Sequence, residues 1–207
     1  VAATQADDSA LVAAWQAGSA EAGGVLVQRY YPNVRRFFDV KVPRVAEDLT
    51  QRTFLAVQES LGRFRGESSF KSYLFGIARN QLLRHLRSSA RAQAFERKVA
   101  FGGPSHRTSL SMIVANRQEH HLILLAYAKL SPDQQIAVEL FYWEDMSTSE
   151  IASVLEIPVS TVTTRLSRAR GVLHDKIVEL TQPGAVRDRL LGQLDAWTRS
   201  LVPRPQT

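Results

Sequence analysis

The sequence predicts an all-α protein: two small helical domains joined by a flexible linker, with one further helix at the C-terminal end. Three observations predict it. Apolar residues recur at helical spacing along most of the chain, and strand-like alternation is rare. The apolar period lapses around Gly102-Gly103-Pro104, in a stretch otherwise rich in Ser, Arg and His. Charge falls in blocks, with nine lysines and arginines against two acids from Arg63 to Lys98, six acids and no Lys or Arg from Asp133 to Glu156, then three arginines and one lysine against one acid from Val159 to Lys176. These breaks divide the chain into a domain over 8–90, a linker over 91–111, a second domain over 112–180 and an extension over 181–207.

Composition bounds the function. The chain has 207 residues, 44% of them hydrophobic, enough for real cores. A net charge of +6 and a pI of about 10.0 favour a polyanionic partner. Cysteine is absent, which excludes disulfides, thiolate zinc sites and thiol redox sensing. No run of about 18 apolar residues exists, and the opening VAATQADDSALVAAW is acidic where a signal peptide is basic. A cytoplasmic chain with no membrane insertion is expected.

The first helix runs from Asp8 to Gly18 on Leu11, Val12 and Trp15. The second spans about Glu21 to Val42, with Val25, Leu26, Tyr30, Val34, Phe37 and Phe38 apolar; Pro32 inside it implies a kink or a break, and Pro43 closes it. The third spans about Val45 to Phe64. At about 100° per residue, Val45, Leu49, Thr53, Ala56, Val57, Leu61 and Phe64 share one face, while Asp48, Gln51, Leu55 and Glu59 fall opposite. Leu55 among acids and amides is either a lone surface leucine or part of a docking surface for another protein.

After the loop Arg63-Phe64-Arg65-Gly66-Glu67-Ser68 comes a helix from about Ser69 to Ser88, with Phe70, Leu74, Ile77, Ala78, Leu82 and Leu86 on its core side. Tyr73, Gly76, Asn80, Arg84 and Arg87 form another row. An aromatic ring for unstacked bases, an amide for base edges and guanidiniums for the backbone suit single-stranded nucleic acid. The plainer reading is a core tyrosine beside a solvated basic face.

Beyond the linker, a helix from Met112 through Leu130 carries Ile113, Leu122, Ile123, Leu125 and Ala126. His120 and His121 diverge by about 100° on it, poor geometry for sharing a metal, and no metal or other cofactor is expected. Ser131-Pro132-Asp133 opens a further helix with Ile136, Val138, Leu140, Phe141 and Trp143. Asp133, Glu139, Glu144, Asp145, Glu150 and Glu156 make this segment acidic, so it is expected to face protein rather than DNA.

From Ser147 to His174 the pattern is two helices joined by a tight turn. Ser147 and Glu150 make a capping box, and Ile151, Ala152 and Leu155 supply the apolar stripe. Pro158 forbids continuation, and Ser160 is expected to cap the second helix, whose Val162, Leu166, Ala169 and Leu173 form one buried face. Ser160, Thr161, Thr163, Thr164, Arg165, Ser167, Arg168 and Arg170 remain outward. Hydroxyls and guanidiniums without an acid among them suit phosphates and the acceptor edges of guanine. The unit reads as a helix-turn-helix whose second helix fits a major groove, the alternative being a helical hairpin with a solvated basic face. Past Thr181-Gln182-Pro183-Gly184, Val186, Leu190, Leu191, Leu194, Trp197 and Leu201 mark a last amphipathic helix. Its stripe needs a cover, either the chain's own domains or another protein, and the short connection favours packing on the chain itself.

The arrangement AEDLTQRTFLAVQESLGRFRGESSFKSYLFGIARNQLLRHLR, a linker, then LSPDQQIAVELFYWEDMSTSEIASVLEIPVSTVTTRLSRAR resembles the extracytoplasmic-function class of bacterial sigma factors, over about Ser9 to Leu180. The resemblance implies a region-two domain that docks on core RNA polymerase through the helix holding Asp48, Gln51, Leu55 and Glu59. It also implies that region two melts the promoter and captures an extruded base. The residues so placed are Phe64, Arg65, Gly66, Ser68, Ser69, Lys71, Tyr73, Asn80, Arg84 and Arg87. Region four would read the duplex upstream element with Ser160, Thr161, Thr164, Arg165 and Arg168, its acidic approach turned to the polymerase. Promoter DNA and an anti-sigma factor or similar regulator are the further partners implied. The helix after Pro183 lies beyond the usual family end.

Two other functions compete. A sigma-like mimic would sequester an anti-sigma factor without binding promoters, and it could drop the basic faces this chain keeps. An enzyme would need a phosphate loop, a metal-spaced set or a nucleophile motif; none is present, and no small-molecule substrate is implied.

Overall fold

The computed structural model describes residues 7–99, 122–123 and 125–201, and their side chains apart from those of 89–99, 193 and 195–201. Among these residues all regular structure is helical. The chain divides into two compact units, Val1–Ser111 and Met112–Thr207.

The first unit holds α1 (Asp8–Gln16), α2 (Ala20–Asp39), α3 (Ala46–Ser60) and α4 (Phe70–Val99), with short 3₁₀ turns at Pro43–Val45 and Leu61–Arg63. Ser19 caps α2 by accepting the Ala22 N–H at 3.2 Å. The helix passes Pro32 unbroken. An interior proline costs about 3 kcal/mol, but Leu26, Val34, Phe37 and Phe38 on the same helix are fully buried, and each such side chain contributes about 1.5–3 kcal/mol. Burial wins. Phe37 lies edge-on to both Phe38 and Phe75, at 5.3 and 5.7 Å. Leu49, Phe54, Val57, Leu61, Phe70, Leu74, Ala78 and Leu82 complete the core. α4 runs on to Val99, so the first part of the expected linker is helix.

α1 is fastened at both ends. Asp8 accepts hydrogen bonds from Arg29 and from the Tyr30 hydroxyl on α2. Trp15 packs so close to Gly23 that a Cβ there would meet its ring at 2.6 Å. Only glycine allows this approach, because the indole is rigid and cannot yield as a flexible chain end would.

In the second unit, residues 122–123 and 125–127 are helical, followed by α5 (Pro132–Tyr142), α6 (Thr148–Leu155), α7 (Val159–Leu180) and α8 (Ala185–Leu201). The rest of the helix expected from Met112, with Ile113, His120 and His121, lies outside the described residues. Both α5 and α6 begin with full capping boxes, Ser131 with Gln134 and Ser147 with Glu150. Glu156 ends α6 in the left-handed conformation (φ 55°, ψ 43°), and the Ile157 N–H returns to the Ala152 carbonyl at 3.2 Å. Pro158, not Ser160, stands at the head of α7: its carbonyl accepts the N–H groups of Thr161 and Val162 at 2.9 and 3.1 Å, which puts Ser160 in the first turn. Val162, Leu166, Ala169, Leu173 and Ile177 form the buried face of α7.

The acidic segment is not one protein-facing surface. Glu139 and Glu144 are each 1% exposed. Glu139 lies within the buried Ile136–Leu140 run and faces the Tyr127 hydroxyl at 3.4 Å. Burial pushes the Tyr127 pKa well above its usual value, with the Glu139 carboxylate adding to the shift. α8 packs back on α7, with Leu190 buried. Arg187 donates to the Val178 carbonyl at 2.7 Å and to Thr181 Oγ1 at 3.1 Å, satisfying acceptors at the end of α7. The side chains of Trp197 and Leu201 lie outside those described. Among the described residues no helix is long and apolar enough to cross a membrane.

Candidate nucleic-acid interface

The first surface is built on the turn between α3 and α4. The Leu61–Arg63 turn leads to Phe64, whose N–H returns to the Leu61 carbonyl at 3.0 Å. Gly66 adopts φ +73°, a left-handed bend that favours glycine, and Arg65 and Ser69 beside it are exposed. Ser69 caps α4, its hydroxyl accepting the Ser72 N–H at 3.2 Å and meeting the Ser72 hydroxyl at 2.9 Å. Ser68 and Lys71 are half-buried. Asn80, Arg84 and Arg87 are exposed and continue in one row along α4.

Tyr73 does not stand free in that row. It is half-buried, its ring 4.7 Å from that of Phe64 and its hydroxyl 2.5 Å from Ser60 Oγ. Ser60 donates to the Ala56 carbonyl at 2.5 Å, so Tyr73 is the donor in the shared bond. Phe64 in turn meets Phe70 edge-on at 6.4 Å. Tyr73 therefore props Phe64 from beneath. A residue absent from the sequence reading joins them: Gln16, at the end of α1, donates to the carbonyls of Leu61 and Phe64, each at 2.9 Å.

On α3, Asp48, Gln51, Leu55 and Glu59 are all exposed, Leu55 by 55%. Gln51 donates to Glu47 at 3.0 Å, and Asp48 pairs with Arg52 one turn on at 3.0 Å. Glu47 also accepts from the Tyr31 hydroxyl at 2.6 Å and pairs with Arg35; the bond from Tyr31, then that from Gln51, hold its carboxyl below the usual range.

The second surface is α7. Ser160, Thr161, Thr163, Thr164, Ser167 and Arg168 are exposed. Thr163 and Thr164 donate back to the carbonyls of Val159 and Ser160, at 3.1 and 2.9 Å, which leaves their oxygens to accept from a ligand. Arg165 is only 22% exposed and lies 3.4 Å from the Asp133 carboxylate on α5. Sequence spacing placed Arg165 outward with Arg168; the fold ties it instead to an acid 32 positions earlier.

Comparison with known proteins gives the family of the two units. The family model for Sigma-70 region 2 matches residues 26–92, and that for Sigma-70, region 4 matches residues 120–173. The ECF RNA polymerase sigma-E factor of Haemophilus influenzae is 29% identical over 187 residues, covering 86% of this chain and 99% of that one. That of Escherichia coli (strain K12) is 29% identical over 188 residues, covering 85% and 97%. A solved sigma factor from Bartonella quintana, in complex with its anti-sigma factor, has the same fold (TM-score 0.60, 24% identity, 73% of this chain and 93% of that one). The sigma-E relatives, extracytoplasmic-function factors by name, are matched over nearly their whole length; with region 2 in the first unit and region 4 on the helix-turn-helix of the second, the chain belongs to the Sigma-70 family of RNA polymerase sigma factors.

Proposed function

We propose that this sigma factor binds core RNA polymerase, recognises promoter DNA at two places and so directs transcription initiation, with no catalytic step of its own. The observation that carries this reading is the run of exposed hydroxyls from Ser160 to Ser167 with Arg168 on the first half of α7, displayed on a helix-turn-helix in a chain that also carries region 2. In region 4, Ser160, Thr161 and Thr164 approach the upstream duplex as hydroxyls, while Arg165 and Arg168 supply guanidiniums for guanine edges or phosphates. In region 2, Phe64, Arg65, Gly66, Ser68, Ser69 and Lys71 form the loop and helix start that take an extruded base. Asn80, Arg84 and Arg87 follow the melted strand, and Tyr73 supports the loop through Phe64. The α3 face of Asp48, Gln51, Leu55 and Glu59 meets the polymerase: an exposed leucine framed by polar groups suits a small, reversible interface. The cytoplasm, where polymerase and chromosome are, is the compartment of this activity, and an anti-sigma factor is the regulator proposed for it.

The test is run-off transcription with core polymerase on a pool of DNA fragments. Recovery of specific start sites that depend on this chain is the expected result. A chain that produces no transcripts with core polymerase yet captures an anti-sigma factor would make it a mimic and overturn the proposal.

A further inference from the structure

Gln16 is the feature that neither family match nor DNA face accounts for. It ends α1, ahead of the matched region 2 residues. Both hydrogens of its side-chain amide are used on a turn 45 to 48 positions later in the chain, one on the Leu61 carbonyl and one on the Phe64 carbonyl, each at 2.9 Å. These carbonyls flank the 3₁₀ turn that leads into the 64–69 loop. The Leu61 carbonyl also receives the Phe64 N–H, so one amide grips the turn at both its ends.

A clamp works only if its own base is fixed, and α1 is fixed. Its first residue, Asp8, is held by Arg29 and Tyr30. Trp15, the neighbour of Gln16, is seated on the bare backbone of Gly23. Phe64 is meanwhile supported by Tyr73, itself bonded to Ser60 at the end of α3. Two independent ties, one through the backbone from α1 and one through the ring from α4, therefore meet at Phe64. In the loop beyond, Arg65 and Gly66 are exposed, and Ser68 donates to its neighbour's carbonyl at 3.5 Å.

We propose that Gln16 is a positioning residue for promoter melting, an amide clamp through which α1 holds the Leu61–Phe64 turn so that the 64–69 loop is preset for an extruded base. This rests on the proposed role of that loop. Presetting matters because the protein must offset the unstacking of a base, and ordering a loose loop at that moment would add to the cost.

The test compares wild type with Gln16→Ala and Gln16→Glu in the full-length chain. The alanine variant removes the amide; the glutamate keeps its size but cannot donate to two carbonyls. Both are expected to speed trypsin cleavage after Arg63 and Arg65 by about ten-fold, the scale of two lost neutral hydrogen bonds at a partly wet edge. Melting temperature and binding to core polymerase are expected to hold. On a duplex promoter recovered by the transcription screen, opening read by permanganate reactivity should slow by a similar factor. A pre-melted bubble of the same sequence should restore it. Wild-type cleavage and opening in both variants, or a glutamate variant that behaves as wild type, would overturn the clamp. So would a defect that the bubble does not rescue and that tracks a lower melting temperature, since that is a merely structural role. A wild-type chain that yields no transcripts at all sinks the reading of the loop instead, a result distinct from either.

Discussion

Arg165 has a carboxylate partner before it has DNA. Its guanidinium is 3.4 Å from Asp133, whose side chain is 57% exposed. A pair so open to water contributes only about 0.2–1 kcal/mol, less than the roughly 1–3 kcal/mol of a bidentate contact to guanine. Duplex DNA should therefore displace Asp133, but against a small standing cost. Asp133→Asn is expected to tighten binding to a promoter duplex by up to about five-fold at low salt, the factor that 1 kcal/mol represents. The gain should vanish in an Arg165→Ala background. Fluorescence anisotropy with the four proteins of that double-mutant cycle checks it; equal gains in both backgrounds would mean that Asp133 acts as a general negative charge near DNA. Arg168 is exposed and provides the contrast, since its alanine variant should lose affinity whether or not Asp133 is present. None of this pairing is legible in the sequence. Helical periodicity assigns Arg165 to a face, but whether another helix brings an acid to that face is a tertiary fact.

The helix-turn-helix was legible because its signals are local. Ser147 with Glu150, Ser131 ahead of Pro132, and Pro158 each act within one turn of the residues they control, and each does in the structure what its chemistry dictates. The miss at Ser160 is one of boundary: the helix begins directly after Pro158, two residues before Ser160, so Ser160 falls inside the first turn instead of capping it. The α3 wheel likewise isolated Leu55 from the core, and it is 55% exposed. Leu55→Asp should weaken capture of core polymerase by ten-fold or more while leaving the melting temperature within a few degrees, because Leu55 lies outside the core and little buried surface is lost. Retained capture would place the docking face elsewhere. Glu156 is a place where local chemistry was not optimised. A non-glycine residue in the left-handed region costs about 1 kcal/mol, and Glu156 sits there at φ 55° with its side chain exposed. Glu156→Gly is expected to stabilise the second unit by about 0.5–1 kcal/mol, partly offset by greater freedom of the unfolded chain. Amide exchange along α6 and the first half of α7 as a function of urea reads it.

At the scale of the molecule, two compact units and a helix beyond the family match must be explained together. The lapse of period near Gly102-Gly103-Pro104 falls outside the described residues, and α4 runs past the expected start of the linker to Val99; Arg and Ala residues there sustain a helix without an apolar stripe to announce it. The extension was visible as a stripe, but a stripe does not say what covers it. For Leu190 the cover is α7, and Arg187 closes the carbonyl end of that helix. Region 4 thereby gains a final layer that its family model, ending at residue 173, does not include. Truncation after Thr181 removes the buried Leu190, worth about 1.5–3 kcal/mol of transfer, and leaves the Val178 carbonyl without its Arg187 donor. Amide exchange along the second half of α7, from Leu173 to Leu180, should then quicken by ten-fold or more, while exchange along α2 and α3 stays as it was. Because the residues proposed to face DNA lie in the first half of α7, duplex affinity should fall by less than three-fold, the scale of about half a kcal/mol. A loss of affinity as large as the gain in exchange would instead show that α8 sets the pose of the recognition face, and that the extension is part of how this sigma factor reads its promoters.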